Sequence, residues 1–312
     1  MRVGLSVASF AAPGGPAKLG AVIVELARRA EAAGFESFWV WDHFFWDESP
    51  IGPGVTDRAM LEAYTILSFV AGVTSTIKLG TMVASATYRH PGVLVKQVTG
   101  LDVLSGGRAI FGIGAGWFEE EHRGLGIPFP NRAERFERLE ETVQIALQMW
   151  SDEGKYDRAK PFRGQHYQLE RTLNVPQTLQ RPHPPILIGG GGERKTLRLV
   201  AQYADACNLH DTLTSDQLSH KLAVLRGHCE RLGRRYEAIE KTVNGARHAT
   251  PDRAASVPRA IDYCRGLADL GIDTVILAAE RVNIYEPAVL DLWAAELLPA
   301  LHALPVAGRG RT

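Results

Sequence analysis

Residues 37–48 read SFWVWDHFFWDE, with Asp42 and His43 side by side in a run of aromatic rings. An imidazole changes charge near neutral pH, so it can give or take a proton there. A neighbouring carboxylate can orient that imidazole or balance its charge. Flat side chains such as Trp39, Trp41 and Trp46 suit the face of a planar ligand. Three chemistries are open to the pair: a buried His held by a carboxylate for structure, part of a metal site, or a proton relay beside a bound ring.

Two glycine-rich stretches could hold a ligand by backbone. ILIGGGGERKTLRLV places Gly189, Gly190, Gly191 and Gly192 between an apolar strand and a helical stretch. Amides exposed at a helix start, with the helix dipole behind them, suit a phosphate. Arg194 and Lys195 could add positive charge or stand as solvated first-turn residues, and Glu193 would repel an anion if it turned inward. FGIGAGW has G-x-G-x-G spacing and runs into WFEEEHRGLGIPFP, so it is not a dinucleotide fingerprint. Its Gly112, Gly114 and Gly116 make either a tight turn or a close backbone approach to a flat ligand, and the neighbouring motifs favour the second. EEEH at 119–122 reads as a solvated charge run. HPGVLVK at 90–96 reads as a helix start with Pro91 in the first turn.

These residues need elements to position them, and one unit recurs. ELARRAEAAGFESFWV and IDYCRGLADLGIDTVIL each run from helical spacing through a glycine into a continuous apolar strand. Gly34 and Gly271 suit a left-handed helix cap, and an unbroken apolar strand suits a parallel sheet covered on both faces. Eight such units place strands near 3–8, 37–41, 78–83, 108–113, 186–189, 205–209, 241–246 and 273–278. Helices follow near 19–34, 59–75, 92–104, 131–150, 193–203, 215–232, 257–269 and 287–303, with Asn131 and Glu134 as a capping box. Eight alternations suit an α/β fold of the (β/α)8 TIM barrel type, ahead of a doubly wound open sheet. One domain then spans 1–306. Residues 151–185 form an insertion before strand five, near the barrel mouth, and 307–312 form a disordered tail. In a barrel the C-terminal strand ends share one rim. Asp42, His43, Met82 to Ser85, Gly112 to Gly116, Gly189 to Gly192 and Cys207 to Asp211 all fall there.

The chain has 312 residues, with 35 basic and 35 acidic side chains. That balance gives no support for a nucleic-acid or membrane-surface partner. No apolar run is long enough to span a bilayer. The N-terminus reads as a first strand, not a signal peptide. Cys207, Cys229 and Cys264 are far apart and form no CxxC pair, which fits reduced thiols and a cytoplasmic protein. Metal-dependent barrel hydrolases carry His-x-His at the first strand end, where this chain has LSVASF. His210 and Asp211 alone make a poor ligand set, so no metal is expected. The aromatic rings and the glycine turn favour the proton relay.

The segments WVWDHF, KLGTMVASATYRHPGVLVKQVTGLDVLSGGRAIFGIGAGWFEEEHRGLGIPFP, RFERLEE and PPILIGGGGERKTLRLVAQYADACNL together resemble the luciferase-like monooxygenase superfamily. They are most similar to its coenzyme F420-dependent oxidoreductases, with the run from Lys78 to Pro130 the most specific. The resemblance implies a deazaflavin-dependent oxidoreductase that moves a hydride between F420 and a small organic substrate. An FMN-dependent monooxygenase is the alternative, followed by a metal-dependent barrel hydrolase and a non-catalytic carrier on the same fold. It implies catalytic roles for His43 and Asp42 beside the ring, and a non-prolyl cis bond at Met82–Val83. It further implies cofactor contacts from Asp42, Ser85, Ala115 and Gly116, and a phosphate loop at Gly189, Gly190, Gly191 and Gly192 with Arg194 nearby. Some sugar-phosphate dehydrogenases of this branch carry Glu directly after the GxGxG turn. Trp117 stands there in this chain, which implies a more apolar substrate face walled by Trp46, Trp117 and Phe118. Homodimers are frequent in the superfamily.

Overall fold

In the computed structural model the described residues are 1–45, 59–245, 248–278 and 283–308. Trp46 and residues 309–312 of the expected tail therefore lie outside the described residues. Eight parallel strands alternate with helices: β1 (Arg2–Val7), β2 (Ser37–Val40), β3 (Lys78–Thr81), β4 (Ala109–Gly114), β5 (Ile186–Gly189), β6 (Ala206–His210), β7 (Glu240–Asn244) and β8 (Thr274–Ala278). β1 pairs with β2 on one side and β8 on the other, and pairing of Leu79 with Ala109 joins β3 to β4 and closes the sheet. The fold is a (β/α)8 TIM barrel, with each strand close to its expected place. After β3, the pair Ala84–Ser85 returns to the sheet against Ile113 and Gly114.

Alternation along the strands divides the apolar side chains into two cores. Phe38, Val40, Phe111, Ile186 and Val275 face outward and pack under the helices. Trp39, Trp41, Met82, Leu187, Ala206 and Ile276 face the lumen, with Ile110 and Val83 against them. Trp39 fills the lower lumen and donates its indole N–H to Ser37 Oγ at 2.8 Å. Two glycines on neighbouring strands make room for it: a Cβ at Gly80 would lie 2.6 Å from its ring, and one at Gly4 would lie 2.9 Å from Nε1.

The helices are α1 (Pro16–Ala33), α2 (Ala63–Ala71), α3 (Pro91–Leu104), α4 (Glu119–Gly124), α5 (Arg132–Trp150), α6 (Thr196–Tyr203), α7 (Ser215–Leu232) and α8 (Val257–Asp269). α4 is a short helix in the loop after β4, and after β8 the frame is completed by the helical return Pro287–Leu292, Trp293–Leu297 and Leu298–His302, which packs on β1. Gly34 and Gly271 adopt φ of +93° and +85°, the left-handed conformation their position after a helix requires. Pro91 opens α3, capped by the His90 side chain. At α5 the capping box is only half made. Asn131 accepts from the amides of Ala133 and Glu134, but the Glu134 carboxylate turns to Arg138, 2.7 Å away. A guanidinium one turn along outcompetes a backbone amide for that charge. None of the described helices is long and apolar enough to cross a membrane.

The 151–185 segment packs along α3 and α5. Buried Glu141 collects the amides of Gln165 and Tyr167 at 2.6 and 2.9 Å, and buried Asp102 takes the amide of Leu179 at 2.6 Å. Its turn reaches the rim, where Tyr167 Oη donates to Ala86 O at 3.4 Å.

Candidate active site

Asp42 and His43 follow β2 and leave it in opposite directions, as consecutive residues of an extended chain must. The His43 ring lies on the side of Trp41, 6.1 Å away between centroids. Asp42 turns to Arg89 instead, accepting from Nη1 at 2.6 Å and Nη2 at 2.7 Å, and it also takes the Ser85 amide at 3.3 Å. Arg89 reaches Glu62 as well and lies over the rings of Phe44 and Tyr64. Burial alone would lower its pKa, but the bonds to Asp42 push it above the ordinary value. The two motif residues therefore do not pair with each other. Asp42 is the buried half of a forked ion pair that fixes the strand end.

The carboxylate on His43 is Glu121, from the run the sequence presents as solvated charge. That expectation fails. Residues 119–124 form α4, and Glu121 and His122 are fully buried while Glu119 and Glu120 stay exposed. Glu121 Oε2 lies 2.8 Å from His43 Nδ1. The same carboxylate accepts from the Tyr88 hydroxyl and from the amides of Phe44 and Phe45. Burial by itself would raise the Glu121 pKa, but the bonds from His43, Tyr88 and the Phe44 amide outweigh it and leave it lowered. An ionised Glu121 only accepts, so Nδ1 carries a proton and donates it in this hydrogen bond. Trp117 and Phe118 stand edge-on to the imidazole at 5.9 Å each; Phe118 is buried and Trp117 is 56% exposed.

The Met82–Val83 bond is cis. The Val83 side chain enters the mouth between two strands, and a Cβ at Gly114 or Gly189 would lie 2.9 or 3.0 Å from its methyl groups. Gly116 has φ of +76°, and a Cβ there would meet Ser85 Oγ at 2.3 Å. Its carbonyl accepts from Arg135 at 2.6 Å. Ala115 beside it is half-buried.

Across the mouth, Gly190 and Gly191 border a cavity of about 350 Å³ with Asn208, His210, Thr212 and Lys221. Gly190 takes φ of +115° there. Arg194 is exposed, and α6 begins only at Thr196. Among the described residues, Lys221 of α7 brings a cation to the glycine turn, with Nζ 2.8 Å from Gly191 O and 3.2 Å from Glu193. Sequence spacing gave no hint of Lys221, which lies beyond α6 and β6, in the second turn of α7. Asp42 and His43 do not meet His210 and Asp211: Asp211 is buried, accepts from the His248 amide at 3.2 Å and lies 3.4 Å from His210. Among the described residues no three His, Cys, Asp or Glu side chains converge as a metal site would need.

Residues 1–296 match the luciferase-like monooxygenase family. The chain is 30% identical over 282 residues to the F420-dependent glucose-6-phosphate dehydrogenase of Kineococcus radiotolerans, covering 88% of this chain and 75% of that protein. It is 28% identical over 285 residues to the F420-dependent hydroxymycolic acid dehydrogenase of Mycobacterium tuberculosis, covering 90% and 73%. Among solved structures, the coenzyme F420 dependent tetrahydromethanopterin reductase of Methanopyrus kandleri superposes with a TM-score of 0.74. It is 16% identical, covers 96% of this chain and all of its own, and so shares the fold.

Proposed function

The chain belongs to the luciferase-like monooxygenase family, and we propose that it is an F420-dependent oxidoreductase that interconverts an alcohol and a carbonyl compound with an apolar body. The observation that carries this reading is the His43–Glu121 pair at the rim, 2.8 Å apart and walled by Trp117 and Phe118. Interconverting an alcohol and a carbonyl moves one hydride and one proton. When bound, F420 supplies the hydride chemistry. The protein's residues fit such a group: Val83 makes a floor between Gly114 and Gly189, Gly116 brings backbone next to Ser85, and the Gly189–Gly192 turn with Lys221 suits a phosphate arm.

The proton belongs to His43. Nε2 takes the hydroxyl proton of an alcohol or returns it to a carbonyl oxygen, while Glu121 holds Nδ1–H and stabilises the imidazolium. Asp42 and Arg89 touch neither event and keep the strand end in place. Trp117, where an acid would suit a sugar, supports a substrate without a charged head. The test is a fluorescence titration of the purified protein with F420 and, separately, with FMN, followed by turnover of apolar secondary alcohols against glucose 6-phosphate. Tight F420 binding with alcohol turnover is expected. Tight binding of FMN alone would move the protein to the monooxygenase side of the family.

A further inference from the structure

Beneath the rim runs a second line of short hydrogen bonds that the proton relay does not use. His122 Nδ1 lies 2.7 Å from Phe118 O, and its Nε2 lies 2.7 Å from Thr87 Oγ1. Thr87 Oγ1 lies 2.7 Å from Ser85 Oγ, and the Thr87 amide reaches the same oxygen at 3.4 Å. A carbonyl only accepts, so Nδ1 carries the ring proton. In a neutral imidazole Nε2 must then accept from the Thr87 hydroxyl. Thr87 has spent its one proton and accepts from Ser85.

Burial lowers the His122 pKa, in the direction that favours the neutral ring. The charged groups facing it are Glu121 and Glu119 of its own helix, which oppose that effect, and Arg135 of α5, which reinforces it; Tyr88 and Phe129 pack against the ring. Ser85 itself is 5% exposed, and Gly116 leaves no room for a side chain over its oxygen.

We propose that the His122–Thr87 pair fixes Ser85 as a hydrogen-bond acceptor toward the bound cofactor, so that the cofactor must bring an N–H or O–H to that oxygen. This rests on the F420 reading of the site. Ser85 is the contact residue; Thr87 and His122 are positioning residues that act through it. A group offering only a carbonyl or ring lone pair at that point is rejected, because two acceptors would face each other.

The protein without cofactor gives the first test. Nitrogen-15 NMR of its ten histidines at pH 7, with His122 assigned by comparison with His122→Gln, is expected to show the Nδ1–H tautomer. An Nε2–H tautomer or an imidazolium would overturn the inference. The second test is F420 affinity by fluorescence. Ser85→Ala and Thr87→Val should each weaken binding by about tenfold, and Thr87→Ser should restore it. Wild-type affinity in Thr87→Val would overturn the coupling. If F420 fails to bind the wild type, the cofactor reading falls, and the tautomer decides this inference alone.

Discussion

The two sides of the barrel mouth are built differently. Around β2 and α4 the polar groups are buried and cross-linked: Asp42 with Arg89, and Glu121 with His43, Tyr88 and two backbone amides. Around β5 and β6 the wall is glycine backbone, with one half-buried lysine and a cavity open enough to admit a ligand. A proton transfer needs a fixed tautomer and a dry setting, because a wandering imidazole spends most of its time misaligned. An anion needs amides and charge that water can reach until the ligand displaces it. Under the proposed function, the division between rigid and open walls is a division between reacting and holding.

The largest effect should come from His43→Ala. It is expected to lower kcat by about 10²–10⁴-fold while F420 affinity changes little. A variant with unchanged kcat would remove the rigid wall from the chemistry. Arg89→Met comes next, and it acts on stability, since it leaves Asp42 buried without its cation. About 3–5 kcal/mol should be lost in urea unfolding, and a loss below about 1 kcal/mol would show that this wall does not depend on its charges. Glu121→Gln should cost about 10²-fold in kcat, with the His43 tautomer altered by NMR.

The same substitution has a pH signature. The folded pKa of Glu121 is lowered, so its stabilising effect is complete above the unfolded value, about 4.3, and disappears as pH falls through the folded value. The wild type should lose stability over that acid range more steeply than Glu121→Gln. Smallest is Lys221→Ala on the open wall: about a tenfold loss of F420 affinity, a shallower salt dependence and little change in kcat at saturation. A large fall in kcat there would erase the distinction between the walls.

The frame was legible because a βα unit writes itself in local patterns: helical spacing, a glycine cap, then an unbroken apolar strand. His43 was legible through its aromatic company. Glu121 was not, because three acids in a row resemble solvated surface. A signal was present: Phe118, Glu121 and His122 stand at i, i+3 and i+4, the spacing of a buried helix face, and all three are buried. The pattern was hidden because two of its three members are titratable. Arg89 sits just before HPGVLVK, the stretch that reads as a helix start, and its bonds to Asp42 and Glu62 span 47 and 27 positions of chain. Lys221 reaches the glycine turn from α7 across 30 positions. Contacts of that range depend on how the barrel closes and leave no local trace.

The plug formed by Trp39 with Ile110, Leu187 and Ile276 governs the order of events in a catalytic cycle. A barrel sealed from below has one door. Whatever lies deepest must enter first and leave last, and under the proposed function a ring against Val83 would lie deeper than a substrate beside Trp117. Turnover should then follow a compulsory order, with cofactor exchange as the final step of every cycle and product competing with substrate for a single, already loaded form of the enzyme.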